Sequence, residues 1–208
     1  MPSEEFLKSD YILYINYFGL CGENCRMLSE KYPNLIVDNT QGFYSEPFGL
    51  ASFNSLRKFF KVQNGAYLYI NKELDIEYEQ DGFLFNPISI DENYDEFLKN
   101  ELLLDKEGIK YIYPKILKEM EKIYFEQDKE KRLKKFLGYQ NKYGKFNLIK
   151  LSVSEKAIPY CYPLCTKNEM VLKELSSKNT ALLSLWGAIP KHYPEHEFLN
   201  NTVALPLV

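Results

Sequence analysis

Residues 11–38 decide the fold class of this chain, and they read YILYINYFGLCGENCRMLSEKYPNLIVD. The first eight residues, 11–18, are an unbroken apolar and β-prone run, which predicts a strand buried on both faces as in a parallel sheet. A short helix is predicted from Asn24 to Lys31, and it stops before the proline that follows. Residues 35–37 form a second short buried strand that ends in Asp38. Strand, helix and strand in this order predict an α/β protein.

Two further strands extend this predicted sheet. One is plausible over residues 50–53, and another is predicted over residues 66–70 because Asn64-Gly65 is a strong turn signal. Apolar residues then recur at helical spacing, which predicts one long amphipathic helix with Pro114 near its start. The positions that carry this pattern are 109, 112, 116, 120 and 123, continuing through 133, 136 and 137.

The last third of the chain has a different pattern. Strands are predicted over residues 146–153, 158–164 and 181–186, with a helix over residues 168–175, so that this part forms a small α+β unit. The basic run over residues 129–135, KEKRLKK, is interpreted as a solvated helix face rather than a phosphate-binding patch.

Composition restricts the class of protein. The chain has 208 residues, 45% of them hydrophobic and 26% charged, which is typical of a globular protein with a sizeable core. Lys and Arg number 26 against 29 Asp and Glu, and this balance argues against nucleic-acid binding because no basic excess is present. The N-terminus does not resemble a signal peptide, and no apolar run is long enough for a membrane span. These features predict a cytoplasmic protein without a membrane anchor.

The four cysteines form two pairs with three intervening residues each, Cys21 with Cys25 and Cys161 with Cys165. A shared metal site is conceivable from this spacing. The second pair, however, lies in an apolar run that contains no other typical ligand. Buried free thiols in a reducing compartment are therefore the preferred interpretation, and no metal site is predicted.

Asp38 is the first candidate for a functional residue. It follows a buried strand, and the carboxyl ends of strands in open α/β sheets line the ligand crevice. A carboxylate at this place can pair with a cationic ring nitrogen. Alternatively, Asp38 is a turn residue, because Asn39 and Thr40 follow it. Gln41, three residues further on, carries an amide that can hydrogen-bond a phenolic oxygen.

Lys58 is the second candidate, and it lies among aromatic and aliphatic residues in the segment SFNSLRKFF, residues 52–60. Burial disfavours the ammonium form and lowers a lysine pKa, which is what Schiff-base chemistry needs. The hydroxyls of Ser52 and Ser55 and the guanidinium of Arg57 could hold a phosphate. Alternatively, the segment begins an amphipathic helix and Lys58 extends its amine into water.

In order along the chain, these features resemble the DegT/DnrJ/EryC1/StrS family of sugar aminotransferases, which use pyridoxal 5'-phosphate (PLP). The matching pieces are an apolar strand that ends in an acid, a glutamine three residues later, and a Ser-Phe segment that leads to a lysine. Here they are Leu35-Ile-Val-Asp38, Gln41, and Ser52-Phe53 leading to Lys58. Weaker matches are Tyr17-Phe-Gly19, Arg132 to Phe136, Pro159 to Pro163, and Leu205-Pro206.

The resemblance implies a fold type I transferase with glutamate as a typical amino donor and a nucleotide-linked keto-sugar as acceptor, in amino-sugar or cell-surface polysaccharide biosynthesis. It implies that Lys58 forms the Schiff base with PLP and later moves the proton. It further implies that Asp38 keeps the pyridinium nitrogen protonated, that Gln41 contacts the phenolic oxygen, and that Ser52 or Ser55 binds the phosphate.

Domain limits also follow from the resemblance: residues 1–105 as a partial large, PLP-binding domain, and residues 106–208 as a long helix with a small C-terminal α+β domain. Family members are longer, and the N-terminal half of their large domain supplies the phosphate cradle. The chain is therefore expected to need a partner, either a second copy in a homodimer or a complementary N-terminal half. The family's usual phosphate serine falls at Phe53 here, and Lys135 replaces a frequent asparagine.

Two other hypotheses stay open at this point. The chain could be a non-catalytic remnant or interaction module that retains the aminotransferase fold. It could also be an unrelated α/β protein in which Asp38 and Lys58 occur at these positions by chance. The identity of the sugar does not follow from the sequence, because sugar contacts are scattered over loops.

Overall fold

The structure is a computed structural model, and it describes residues 6–62, 64–82, 108–151, 157–177 and 201–208, with short pieces between 95 and 106 and between 183 and 196. Its element order begins with a strand, a helix and a strand, as the sequence predicts. The protein is thus a mixed α/β protein with two small sheets. The domain boundary between residues 105 and 106 stays a prediction.

The first sheet contains four strands in the order in which they occur along the chain. Three of them are parallel, and the fourth is antiparallel to the third. The helix α1, Gly22–Lys31, connects the first two strands. The strands are β1, Ile12–Ile15; β2, Leu35–Asn39; β3, Ala51–Asn54; and β4, Leu68–Ile70. All four predicted strands are therefore confirmed, with β1 and β4 shorter than predicted.

The two faces of this sheet are covered unequally within the described part of the chain. Helix α1 packs Cys25 and Leu28 against Leu35 and Val37, and all four side chains are buried. Strand β1 is nevertheless an edge strand, and Leu13 on its other face is 61% exposed. The prediction that residues 11–18 are buried on both faces is therefore wrong.

Strand β1 also ends earlier than predicted, at Ile15. A 3-10 turn over Tyr17–Gly19 follows, in which Phe18 and Gly19 adopt left-handed backbone angles of φ 60° and 71°. Extended backbone cannot continue through this conformation, so the apolar run divides into a strand and a turn.

The predicted long helix is two helices, α2, Pro114–Met120, and α3, Phe125–Tyr143. Pro114 occupies the first helical position, as predicted. Tyr124 has the non-helical angles φ −84° and ψ 83°, and the chain turns there. The break allows both helices to contact one aromatic cluster around Phe59 and Phe60. The prediction of one continuous helix is wrong because tertiary packing of this cluster determines where the helices end.

The second sheet is antiparallel, with the order β5-β7-β6. Its strands are β5, Cys161–Cys165; β6, Leu183–Ser184; and β7, Thr202–Pro206. Helix α4, Glu169–Ser177, matches the helix predicted over residues 168–175. Apart from Leu183 and Ser184, residues 181–186 lie outside the described residues. The central strand β7 was not predicted.

The predicted strand over residues 146–153 is wrong for its described part, residues 146–151. A 3-10 turn, Gly144–Phe146, replaces its beginning. The side chain of Asn147 then takes the place of a neighbouring strand: it accepts the Cys165 N–H at 3.0 Å and donates to the Pro163 carbonyl at 2.8 Å. A side chain thus satisfies the edge of β5 without strand pairing.

The core of this half joins α3 and α4 to the second sheet. It contains the buried side chains of Phe136, Tyr143, Tyr162, Leu164, Val171, Leu175, Leu205 and Leu207. Among the helices of the described residues, none combines the length and apolar character needed to cross a membrane.

Candidate functional site

Asp38 lies at the carboxyl end of β2, where it aligns with Ile15 of β1 and Phe53 of β3. Its side chain is on the face opposite α1, because α1 covers the alternate residues Leu35 and Val37. Asp38 Oδ1 accepts the backbone N–H of Thr40 at 2.8 Å. The turn role that the sequence left open for Asp38 is therefore present, and the half-buried carboxylate also faces the less covered side of the sheet.

Lys58 lies in the turn after β3, and its Nζ donates to Thr40 Oγ1 at 3.1 Å. Thr40 thus contacts both Asp38 and Lys58. Desolvation lowers the pKa of Lys58, and Arg57 lowers it further, whereas the charge of Asp38 raises it. The structure therefore brings the carboxylate close enough to the amine to act on the pKa of Lys58.

The surroundings of Lys58 differ from the sequence prediction in one respect. Leu56, Phe59 and Phe60 are buried in the aromatic cluster, but Lys58 itself is an exposed residue. Partial desolvation of an otherwise exposed residue explains why the pKa of Lys58 falls in the predicted direction although the side chain is not enclosed.

Gln41 is buried, and its Oε1 accepts the backbone N–H of Phe18 at 2.8 Å. This bond joins the loop after β2 to the 3-10 turn after β1. The carbonyl oxygen of the Gln41 amide therefore has a structural partner at the same end of the sheet as Asp38.

Ser52 is buried on the α1 face, as the alignment of Ser52 with Val37 requires. Its Oγ has no hydrogen-bond partner among the described residues. It lines a cavity of about 540 Å³ together with Pro47, Phe48, Gly49 and residues 68–71. Ser52 and Asp38 therefore lie on opposite faces of the sheet and are not brought together. Ser55 is half-buried in the turn that leads to Lys58, and Arg57, the residue directly before Lys58, is exposed.

Sequence reasoning missed a row of asparagines at the carboxyl ends of the three parallel strands. Asn16 Nδ2 donates to Asn39 Oδ1 at 2.8 Å and to Ser45 Oγ at 2.9 Å. Asn39 aligns with Asn54, whose Nδ2 is buried without a partner among the described residues. The signal in the sequence is that each of these residues ends or directly follows a strand.

Arg132 was also missed, because the basic run around it was interpreted as a solvated face. Arg132 is 1% exposed, and its Nε donates to Asp128 Oδ2 at 2.7 Å. Its Nη2 donates to the carbonyl oxygen of Phe59, the residue after Lys58, at 2.9 Å. The solvated interpretation is wrong for this residue because carbonyl groups from distant parts of the chain surround it, which no helical pattern reveals.

The four cysteines are free thiols, three of them buried. Burial raises the pKa of Cys25 and of Cys161 to about 12 in each case, and it also raises the pKa of Cys21. Among the residues that the structure describes, no group of three or more His, Cys, Asp or Glu side chains could hold a metal ion.

Two comparisons with known proteins complete this description. A scan against known protein families finds no family that matches the chain, and a search of curated proteins finds no matching relative.

Proposed function

We propose that this chain carries the lysine-bearing part of a PLP-dependent aminotransferase of the DegT/DnrJ/EryC1/StrS type. The reaction transfers an amino group from an amino acid such as glutamate to a nucleotide-linked keto-sugar, in amino-sugar or cell-surface polysaccharide biosynthesis. The observation that carries the proposal is the juxtaposition of Asp38 and Lys58 through Thr40 at the carboxyl ends of the parallel strands.

The residues present fit one end of PLP better than the other. A carboxylate at a strand end and a nearby amine of lowered pKa suit the ring nitrogen and the aldehyde carbon, respectively. Ser52 does not suit the phosphate of the same molecule, because its hydroxyl lies on the opposite face of the sheet. Ser55 and Arg57, in the turn before Lys58, are the better candidates in this chain. The rest of the phosphate cradle would come from a partner, either a second copy of the chain or a complementary half.

PLP supplies an electron sink when it is bound, and the protein residues hold it and move protons. Asp38 would favour the protonated ring nitrogen of bound PLP through its negative charge. Lys58 would hold the cofactor through its Nζ, and the same amine would accept and return the substrate proton. Gln41 remains available only in part, since one of its amide atoms already holds Phe18.

A second polypeptide completes this proposed site. The sheet face that carries Asp38 also carries Leu13 and Phe53, and none of the described hydrophobic clusters includes either of them. A parallel sheet normally has both faces covered. A second copy of the chain, or a complementary half of the enzyme, would cover this face and exclude water beside Asp38.

One set of observations favours a second candidate function, that of a non-catalytic interaction module. Asp38 and Gln41 each accept a backbone N–H, and Lys58 donates to a side chain, so all three have roles within the fold. In that case the less covered sheet face, which carries Leu13 and Asp38, is the functional surface, and PLP does not bind.

Covalent trapping distinguishes the two candidates. The purified protein is mixed with PLP, an absorbance spectrum is recorded, and the mixture is reduced with borohydride and digested for mass spectrometry. The proposal expects one pyridoxyl adduct, on Lys58, and its loss in Lys58→Arg. Lys61→Arg, which changes an exposed lysine three residues away, is the matched control and should keep the adduct. Adducts spread over many surface lysines would remove the cofactor from the proposal.

A further inference from the structure

Arg132 of α3 makes contacts that reach well beyond its own helix. Its Nη2 donates to the Phe59 carbonyl at 2.9 Å, and its Nη1 lies 3.4 Å from the Tyr160 carbonyl oxygen. The guanidinium also lies over the Phe59 ring, 4.6 Å from its centroid. One buried side chain thus joins the turn that carries Lys58, helix α3 and the residue just before β5.

Asp128 fixes the guanidinium in this place. Its Oδ2 accepts from Arg132 Nε at 2.7 Å and from the Tyr44 hydroxyl at 2.7 Å. Tyr44 belongs to the loop after β2, four residues beyond Thr40. Burial, followed by the hydrogen bond to Asp128, raises the pKa of Tyr44 above its ordinary value, so this hydroxyl donates throughout the physiological range.

The network anchors the two chain segments that place the Lys58 amine, the loop after β2 and the turn after β3. Thr40, which accepts the Nζ hydrogen bond, is in the loop that Tyr44 fastens to Asp128. Phe59, which follows Lys58, is fastened to Arg132. The bond between Lys58 and Thr40 is itself exposed, and an exposed bond of this kind does not fix a flexible side chain. The position of the amine therefore depends on the backbone on either side of it.

We propose that Arg132 is a positioning residue for Lys58: by holding the Phe59 carbonyl it fixes the turn from which the Lys58 amine reaches Thr40, the residue that also binds Asp38. Asp128 and Tyr44 orient Arg132 and complete the device. The catalytic role of that amine rests on the proposed function, whereas its position and its acidity do not. A buried guanidinium needs such partners, because an uncompensated charge in the interior is strongly unfavourable.

Arginine is better suited to this role than lysine. Its planar fork donates at the same time to Asp128 and to the Phe59 carbonyl, which the single ammonium of a lysine cannot do with the same geometry. Arg132→Lys therefore keeps the charge and removes the geometry.

The test measures the pKa of Lys58 without any cofactor. Lysines are dimethylated with ¹³C-formaldehyde, the Lys58 signal is assigned from its absence in Lys58→Arg, and the signals are titrated by NMR. In the parent, Lys58 titrates below the ordinary pKa of a lysine. In Arg132→Lys the turn loosens and the amine moves into water, so the Lys58 pKa rises towards that ordinary value. The charged groups that act on the amine, Asp38 and Arg57, are unchanged.

A second readout is the rate at which PLP and borohydride label Lys58. We expect a decrease of about tenfold in Arg132→Lys, because displacement of a reacting group by about 1 Å can lower a rate by two orders of magnitude. Arg26→Lys is the control, since it alters an exposed arginine paired with Glu23 and Glu30 on α1, and it should change neither readout.

Tyr44→Phe serves in case Arg132→Lys does not fold. It removes only the hydroxyl that holds Asp128, and it should shift the Lys58 pKa upward by a smaller amount. The proposal is overturned if Arg132→Lys folds with an unchanged Lys58 pKa, or if it does not fold and Tyr44→Phe leaves that pKa unchanged. If the parent forms no PLP adduct, the proposed function fails, but the effect of Arg132 on the Lys58 pKa is still measured.

Discussion

At the scale of single residues, the pKa of the Lys58 amine depends on two opposing effects, desolvation and the charge of Asp38. Partial desolvation disfavours the ammonium of Lys58, and the negative charge of Asp38 restores part of its stability. The two groups share Thr40, which donates its N–H to one and accepts from the other. The acidity of Lys58 is therefore sensitive to the charge at position 38.

Asp38→Asn should lower the pKa of Lys58 below its value in the parent. The amide oxygen can still accept the Thr40 N–H, but the charge that favours the ammonium is lost. The ¹³C-methyl titration described above measures this shift. Asp75→Asn, at an exposed aspartate, is the control and should leave the Lys58 pKa unchanged.

In a complex that binds PLP, we further expect Asp38→Asn to slow the half-reaction more than it weakens PLP retention. Equal half-reaction rates in the variant and the parent would show that Asp38 is structural.

The sequence predicts some of these residues and not others for a physical reason. Asp38 follows an apolar strand, and the rule that strand ends gather at one edge places it without knowledge of tertiary contacts. Ser52 depends on side-chain alternation and register, and a shift of one residue reverses its face. Arg132 depends on carbonyl groups that lie 73 and 28 residues away along the chain. Helical periodicity carries no information about such partners.

At the scale of elements, the turn between β2 and β3 shows how tightly the first sheet is built. Gly49 has φ +82°, and a Cβ at this position would overlap the Leu35 carbonyl oxygen, which already accepts the Leu50 N–H at 2.7 Å. Gly138 on the exposed side of α3 is different, because a Cβ there would meet open space. The same substitution should thus have opposite effects at the two positions.

Gly49→Ala should reduce the free energy of unfolding by about 1–3 kcal/mol, since the left-handed backbone and the overlap with backbone both oppose a side chain. Gly138→Ala should increase it by roughly 0.5–1 kcal/mol, because glycine is unfavourable inside a helix. Urea unfolding followed by circular dichroism measures both values against the parent. A loss of stability in Gly138→Ala comparable with that in Gly49→Ala would contradict the arrangement described for these two elements.

Elements were predicted where local pattern determined them. The apolar run of β2 and the helical spacing of α1 are sufficient by themselves, and both are found. The long helix was predicted without its break, because the apolar positions continue from Ile123 to Leu133 while the aromatic cluster requires a turn between α2 and α3. Strand β7 was missed since its pairing with β5, about 40 residues earlier, is a non-local contact.

At the scale of the whole molecule, the two faces of the first sheet are unequal. Side chains under α1 such as Leu35 and Val37 are fully buried, whereas Leu13 on the other face is 61% exposed and Leu68 is 53% exposed. Strand β1 also forms an outer edge of the sheet. Its sequence, Ile12–Ile15, contains neither a charge nor a proline, the features that usually protect an edge strand from pairing.

Soluble monomers rarely expose a continuous apolar patch larger than about 300–600 Å². We therefore expect the purified chain to self-associate, or to bind a complementary half where one is present, through the face of the first sheet that carries Leu13 and Leu68. Multi-angle light scattering should give at least twice the chain mass of 24.5 kDa for the parent.

Leu13→Asp and Leu68→Asp each place a charge in the contact and should shift the measured mass towards that of the monomer. Leu137→Asp is the matched control, because Leu137 is 54% exposed on α3 and lies outside this face, so its mass should equal that of the parent. A parent that stays monomeric at tens of micromolar, or aspartate variants on the sheet that associate as the parent does, would contradict this interface. In either case the water-excluding surface beside Asp38 would have to come from another part of the protein.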